Sequence, residues 1–385
     1  MKIAIVSMIR EPWGGSEELW AGMAAKALQQ GHTIAHSTFR FSLVADKEKQ
    51  LIEKGLLHIP RRGFIAPGTP VPIRWLKKAF YLLLNRINNP FSRLLATQPD
   101  LVIYNGTAYS IAAEKELISI LHKKRVPYCI IGHYSNDNRR EFSDHEAGVI
   151  RQCYQQAKQL FFVSRRTLNT AERQLATHIP NAMIVRNTVN LDNISPVQYP
   201  AQTNTLQLAL VGNLLTIHKG QDLVLEILAA EQWKNRPVQL NIYGQGPEEQ
   251  YLKELVAYYQ LQHRVTFFGK VKDIRRLWAD NHILLMPSLM EGMPLAVVEA
   301  MICGRPCIVT DVGGHKEWVQ EGMEGFIADA ASVNSFGSAM ERAWQQREQW
   351  QQLGVQAHHK ALQLYGNDPA QTFFDAIQQL VKQTI

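Results

Sequence analysis

Short apolar runs, each closed by a glycine or serine turn and followed by a helical pattern, recur along this chain, and the series starts twice. KIAIVS at 2–7, LVIYNG at 101–106, YCIIGH at 128–133 and LFFVS at 160–164 form the first series. LQLALVG at 206–212, VQLNIYG at 238–244, RVTFFG at 264–269, ILLMPS at 283–288 and PCIVTD at 306–311 form the second. Strands that are apolar from end to end must be covered on both faces, so the pattern dictates parallel sheets with crossover helices. Between the series, MIVRNTVNLDNISPVQYPAQTNT is rich in Asn, Pro, Ser and Thr and has no periodicity, which places a domain boundary near 190–204. A chain of 385 residues is long enough for two cores. The expected fold class is therefore α/β, with Rossmann-like domains at 1–190 and 204–365 facing each other across a cleft. A tail helix at about 366–385, with Phe373, Phe374, Ile377, Leu380 and Val381 at helical spacing, is expected to pack back on the first domain.

The first helix is expected over Ser16–Gln30, stopping at Gly31. No apolar run approaches the roughly 18 residues needed to span a bilayer, and the N-terminus reads as a first strand in place of a signal peptide, so a cytoplasmic location is expected. Cys129, Cys153, Cys303 and Cys307 have no zinc-like spacing and read as buried thiols; no metal site is expected. Charge divides unevenly: residues 1–190 hold 26 Lys and Arg against 14 Asp and Glu, while 191–385 hold 15 against 20. The first half should therefore face something anionic, such as a membrane surface, a phosphorylated glycan or a nucleic acid.

Within that half, Pro72–Asn89 sorts on a helical wheel. Arg74, Lys77, Lys78, Tyr81, Asn85 and Asn88 lie on one arc, and Ile73, Trp75, Leu76, Ala79, Phe80, Leu82, Leu83 and Ile87 on the other, with Arg86 as the misfit. A core-packed helix with a solvated basic face fits this pattern. With Arg61, Arg62 and Arg93 nearby, so does contact with anionic lipid or a phosphorylated lipid-linked glycan.

The chemistry-bearing stretch is Met286–Gly325, where Glu291 and Glu299 stand eight positions apart across a Gly-Met-Pro turn that opens an apolar helix. Free N–H groups of Gly292, Met293 and Leu295 can reach a phosphate at such a helix start, whereas Pro294 has none to offer. Glu299, inside the apolar helix, needs donors; two ribose hydroxyls, Arg305 or a backbone partner would each serve. Glu291 can accept from sugar hydroxyls. Lys219, before Gly220, is placed to meet a diphosphate or to remain a solvated surface charge. The Gly14-Gly15 turn lets backbone approach a bulky anion, or is simply a tight turn with a serine cap. Val271, after Gly269, could present backbone groups to a base edge.

The arrangement S-x2-E-G-x-P-x4-E-A-M-x2-G-x-P, followed by GG-x2-E, resembles the retaining nucleotide-sugar glycosyltransferases of family 4, with the GT-B fold. The likeness covers most of 206–330, and more faintly GGSE at 14–17, GHYS at 132–135, FVSRRT at 162–167 and VRNTVN at 185–190. The resemblance implies that Glu291 contacts the donor sugar, Glu299 the ribose, and Lys219 and Gly15 the diphosphate. It implies that His133 contacts the sugar near the reaction centre, making Glu291, His133 and Lys219 the catalytic set. Members commonly carry an arginine shortly after the VG turn; Asn213 stands here, which brings no charge to the leaving group.

The resemblance also implies retaining hexosyl transfer in glycan or polysaccharide biosynthesis, and metal-independent transfer is expected because the sequence holds no D-x-D clamp. The donor is a nucleoside-diphosphate sugar acting as substrate, with no cofactor. The acceptor is a glycan, a lipid-linked or a small-molecule hydroxyl, anionic in keeping with the basic half, with peripheral contact at the inner membrane face and no nucleic acid partner. The alternatives are a nucleotide-sugar epimerase of the same fold and a non-catalytic sugar-nucleotide or glycan-binding protein.

Overall fold

The computed structural model describes residues 1–66, 68–201, 205–366 and 368–383, apart from the Arg86 side chain. Residues 202–204 of the expected boundary, and 367, 384 and 385 of the expected tail, lie outside the described residues. The chain divides into two compact units, one of Met1–Thr188 with Asp368–Ile385 and one of Val189–Asn367.

In the first unit the strands are β1 (Lys2–Ser7), β2 (Thr33–Ser37), β3 (Leu57–His58), β4 (Leu101–Gly106), β5 (Tyr128–Gly132), β6 (Gln159–Phe162) and β7 (Ala182–Ile184). They form one parallel sheet in the order β3-β2-β1-β4-β5-β6-β7. The second unit holds β8 (Leu206–Val211), β9 (Val238–Tyr243), β10 (Val265–Gly269), β11 (Ile283–Met286), β12 (Cys307–Thr310) and β13 (Gly325–Ala328). These are also all parallel, in the order β10-β9-β8-β11-β12-β13. Both sheets are the doubly wound α/β arrangement that the two series of apolar runs dictate. Val6, Tyr104, Ile130 and Phe162 sit in the first core, and Leu208, Leu240, Ile283 and Phe326 in the second. Strand order reverses between β1 and β4 and again between β8 and β11, and the carboxyl ends at such reversals are where open α/β sheets take ligands.

The first helical segment begins as a tight 3-10 turn, Gly15–Glu17, and becomes α-helical over Glu18–Gln29. The last helix, Pro369–Lys382, packs on Glu18–Gln29, with Phe373 edge-on to Phe161 at 5.0 Å and Asp368 paired to Lys26 at 2.6 Å.

The helix Val71–Ile87 departs from a core-packed arrangement. Its C-terminal part meets the body of the unit through Tyr81, Leu84 and Asn85, which are half-buried, while Trp75, Leu76, Phe80, Leu83 and Ile87 are exposed, as are Arg74, Lys77 and Lys78. Arg62 accounts for this orientation. Its Nε donates to Asn85 Oδ1 at 3.0 Å, and its Nη2 donates to the Leu84 carbonyl at 2.9 Å and to that of Asn88. Polar contacts seat the helix, so the apolar arc points to solvent. No helix among the described residues is long and apolar enough to cross a membrane.

Candidate active site

At the β8–β11 reversal, the turn after β8 leads into a short helix, Thr216–Lys219, which stops at Gly220. Gly220 has φ +62, and a Cβ there would stand 2.4 Å from the Pro287 carbonyl oxygen, so only glycine fits. This close approach of the two strand ends puts Lys219 beside Glu291. The Lys219 ammonium donates to Glu291 Oε1, and Ser288 Oγ donates to the same oxygen at 2.8 Å. The Glu291 side chain is only 9% exposed. Burial alone would raise its pKa, but the Lys219 charge and the hydrogen bonds from Lys219 and Ser288 bring it below the usual carboxylate range. Glu291 is therefore ionised at neutral pH.

Gly313 holds the next loop against this pair: its φ is +49, and a Cβ would lie 2.0 Å from the Glu291 carbonyl oxygen. Gly314 N–H then donates to the Gly292 carbonyl at 2.8 Å. His315 follows, fully buried, with Nδ1 2.7 Å from the Thr310 carbonyl. That contact requires Nδ1–H, so Nε2 is a bare acceptor, and it has no partner among the described residues. Burial lowers the His315 pKa and keeps the ring neutral.

Pro294 caps the helix Leu295–Ile302, and Gly292, Met293 and Pro294 are buried in the loop leading to it. The first-turn N–H groups of Leu295 and Ala296 have no carbonyl four residues back within the helix. About one turn in, Glu299 is buried, and its Oε1 accepts from the backbone N–H and from Nδ2 of Asn190, both at 2.9 Å. Arg305 is not its partner; that guanidinium donates to the carbonyls of Trp278, Asn281, Val197, Gln198 and Cys303. Asn213, just past β8, accepts from Gln221 Nε2 through its carbonyl at 2.8 Å. Val271 is half-buried, two residues after Gly269. Lys219, Glu291 and the start of Leu295–Ile302 thus meet at the ends of β8 and β11.

The first unit has its own polar cluster at the ends of β1, β4 and β5. Gly14 is extended and leads into the Gly15–Glu17 turn, which no side chain caps. Glu17, 1% exposed, accepts from Ser7 Oγ at 2.7 Å, Trp20 Nε1 at 2.7 Å and Asn105 Nδ2 at 2.8 Å. Asn105 Oδ1 in turn lies 2.6 Å from His133 Nε2. The amide oxygen can only accept there, so His133 carries its proton on Nε2 and leaves Nδ1 as an acceptor, buried and unpartnered among the described residues. Burial drops the His133 pKa to about 3, so the ring is neutral across the physiological range.

Farther along the same sheet, His36 and His58 each place Nδ1 on Glu48 Oε1, at 2.6 and 2.8 Å. Those are hydrogen-bond separations, in keeping with two imidazole N–H groups donating to one carboxylate.

Ser288, Glu17, Asn105, Asn190 and His315 escaped the reading of the sequence as site residues. Each lies within or beside one of its motifs; for Ser288, Glu17, Asn105 and His315 the signal is a polar residue near the end of an apolar strand or in a glycine turn, and Asn190 has no such signal.

Residues 205–346 match the family model described as glycosyl transferases group 1. They are a group 1 glycosyltransferase domain. N-acetyl-alpha-D-glucosaminyl L-malate synthase of Bacillus anthracis is 26% identical to this chain over 167 residues, 43% of this chain and 43% of that protein. Glycogen synthase of Pseudomonas syringae pv. syringae is 29% identical over 178 residues, 46% of this chain and 36% of the synthase. The match thus spans less than half the length of either relative. Among solved structures, Anabaena Alr3699/HepE in complex with UDP-glucose superposes with a TM-score of 0.73 at 17% identity, covering 100% of both chains. Sucrose-phosphate synthase from Thermosynechococcus elongatus gives 0.74 at 16% identity, also over 100% of both. At such identities the likeness concerns the fold, and that fold is GT-B. Lys219, Glu291, Glu299 and His315 all fall within the glycosyltransferase domain.

Proposed function

We propose that this chain is a retaining glycosyltransferase that moves a hexosyl group from a nucleoside-diphosphate sugar to an acceptor hydroxyl without a metal ion. The observation that carries the reading is the partly buried Lys219–Glu291 pair beside the start of the helix Leu295–Ile302, with Glu299 about one turn further on. A fixed cation and a helix N-terminus are what a departing diphosphate requires, and a buried carboxylate further along suits vicinal hydroxyls. In this reading the bond from the anomeric carbon to the diphosphate breaks as the acceptor oxygen bonds to the same face. The acceptor's proton passes to the departing phosphate oxygen. Lys219 and the Leu295 and Ala296 N–H groups take up the developing charge. Glu291 orients a sugar hydroxyl, and Glu299 holds the ribose. The relatives support nucleotide-sugar chemistry, since the Anabaena protein was solved with UDP-glucose.

Incubation with UDP-, GDP- and ADP-sugars, with and without glycan acceptors, tests the proposal: transfer is expected. Isomerised sugar would make the chain an epimerase, and binding without turnover would make it a binding protein. Glu299→Ala should weaken nucleotide binding by about 1–3 kcal/mol, because the ribose hydroxyls lose a buried acceptor. Titration calorimetry showing equal nucleotide affinity in the two proteins would remove Glu299 from the ribose site.

The exposed arc of Val71–Ile87, with Arg74, Lys77 and Lys78 beside it, supports peripheral binding to an anionic membrane. Sedimentation with anionic vesicles is expected, fading with salt and dropping when Arg74, Lys77 and Lys78 become Ser. Indifference to lipid charge would rule the contact out.

A further inference from the structure

Beside the polar edge of Val71–Ile87 lies a cavity of about 450 Å³ lined by Arg40, Arg61, Arg62 and Arg93, with Tyr81 and Asn89. No carboxylate lines it among the described residues. Arg61 is 3% exposed, and its guanidinium donates to the carbonyls of Ser7 and Ser37 while lying 4.2 Å over the Phe39 ring. Glu114 and Glu17 act on Arg61 from outside the cavity wall. Arg62 spends its donors on Asn85 and on helix carbonyls. Arg40 and Arg93 are exposed, and neither side chain makes a hydrogen bond or ion pair within the described residues. Two anchored guanidiniums and two unengaged ones around one cavity create a concentrated positive field with no counter-charge in its wall. A planar donor fork suits phosphate oxygens, which it can engage two at a time.

The cavity is not isolated from apolar surface. Tyr81 and Leu84, which line it, belong to the same helix that exposes Leu76, Phe80, Leu83 and Ile87. A ligand with a phosphoryl group in the cavity and an alkyl chain running from it would cover that face. We propose that the cavity takes the phosphoryl group of a lipid-linked acceptor, whose chain lies along the exposed arc of Val71–Ile87. This deepens the transferase reading by naming the acceptor class and rests on it for its role, but binding can be measured without donor or turnover.

The test is calorimetric titration with octyl phosphate, inorganic phosphate and octyl glucoside, all below micelle formation. Octyl phosphate should bind at least about 10-fold more tightly than inorganic phosphate, and octyl glucoside should not compete. Arg40→Ser with Arg93→Ser should weaken octyl phosphate at least about 10-fold, whereas Lys123→Ser with Lys124→Ser, the same charge change elsewhere, should leave it unchanged. Leu76→Ser with Phe80→Ser should bring octyl phosphate down to the affinity of inorganic phosphate. Equal binding by the arginine variant, or equal loss in the lysine variant, overturns the site. A second arm sediments the arginine variant with anionic vesicles. Retained sedimentation keeps the cavity for a lipid-linked acceptor; sedimentation lost in step with octyl phosphate binding assigns it to a bilayer phospholipid and overturns the acceptor assignment. Absent sugar transfer alongside intact octyl phosphate binding would count against the transferase reading alone.

Discussion

Lys219→Ala is expected to lower kcat for sugar transfer about 100- to 1000-fold, the loss seen when one pre-positioned charge or donor is removed from a developing anion. Two features make the effect large. Gly220 and the Pro287 carbonyl fix where the Lys219 backbone can sit, and Glu291 fixes its ammonium, so little reorganisation is needed when charge develops on the leaving group. Asn213 brings no charge of its own to the same turn. The substitution also strips Glu291 of its cation, and burial, now opposed mainly by the Ser288 hydrogen bond and His315, moves the Glu291 pKa up. The sign of the pH effect is set by that change. With Lys219 present, the depressed Glu291 pKa contributes stability above the unfolded carboxylate value and is lost as pH falls through the lower folded one. In Lys219→Ala that contribution disappears, and the acid limb of the rate profile moves to higher pH. Single-turnover rates over a pH series check both statements. A kcat within a few-fold of the parent would mean that Lys219 does not face the leaving group.

The two sheets were legible from β1, β4, β5, β6 and β8 to β12, which coincide with mainly apolar runs ending in a glycine or small polar turn; β2, β3, β7 and β13, short or mixed in polarity, were not. The stretch around Glu291 and Glu299 stands out in the sequence for a related reason: a carboxylate in an apolar helix needs buried donors. The partners of these acids were not. Asn190 comes from a segment with no periodicity, and nothing local shows that its amide reaches Glu299. His315 follows two glycines in a turn, and its burial arises only when Gly313 closes on the Glu291 backbone. Val71–Ile87 shows a third kind of limit. A helical wheel separates two arcs but does not say which one faces inward, and there the deciding contact is made by Arg62, which precedes the helix in the chain.

The largest loss of stability is expected from Arg305→Ala, about 3–5 kcal/mol, because a buried charge-assisted network is removed as a whole. Arg305 is fully buried, and burial lowers its pKa to about 10, which still leaves it charged at neutral pH. Its three nitrogens reach the carbonyls of Trp278, Asn281, Val197, Gln198 and Cys303 at 2.6 to 3.0 Å, and the guanidinium lies 5.1 Å from the Tyr199 ring centre. One side chain thus ties the segment before β8 to the ends of two helices, Ile274–Ala279 and Leu295–Ile302. Alanine would leave those carbonyls unsatisfied and open a void. Lysine would not rescue it, since one ammonium cannot meet five acceptors spread over a planar fork. Arg264 offers an internal comparison, being buried and bound to the carbonyls of Val238, Leu228, Lys234 and Arg236, but at 3.1 to 3.4 Å. Its longer contacts are weaker, so Arg264→Ala should cost less. Urea unfolding of the three proteins decides the matter. A loss for Arg305→Ala no greater than that for Arg264→Ala would mean that the carbonyls find other donors and that the network is not what holds this part of the second unit together.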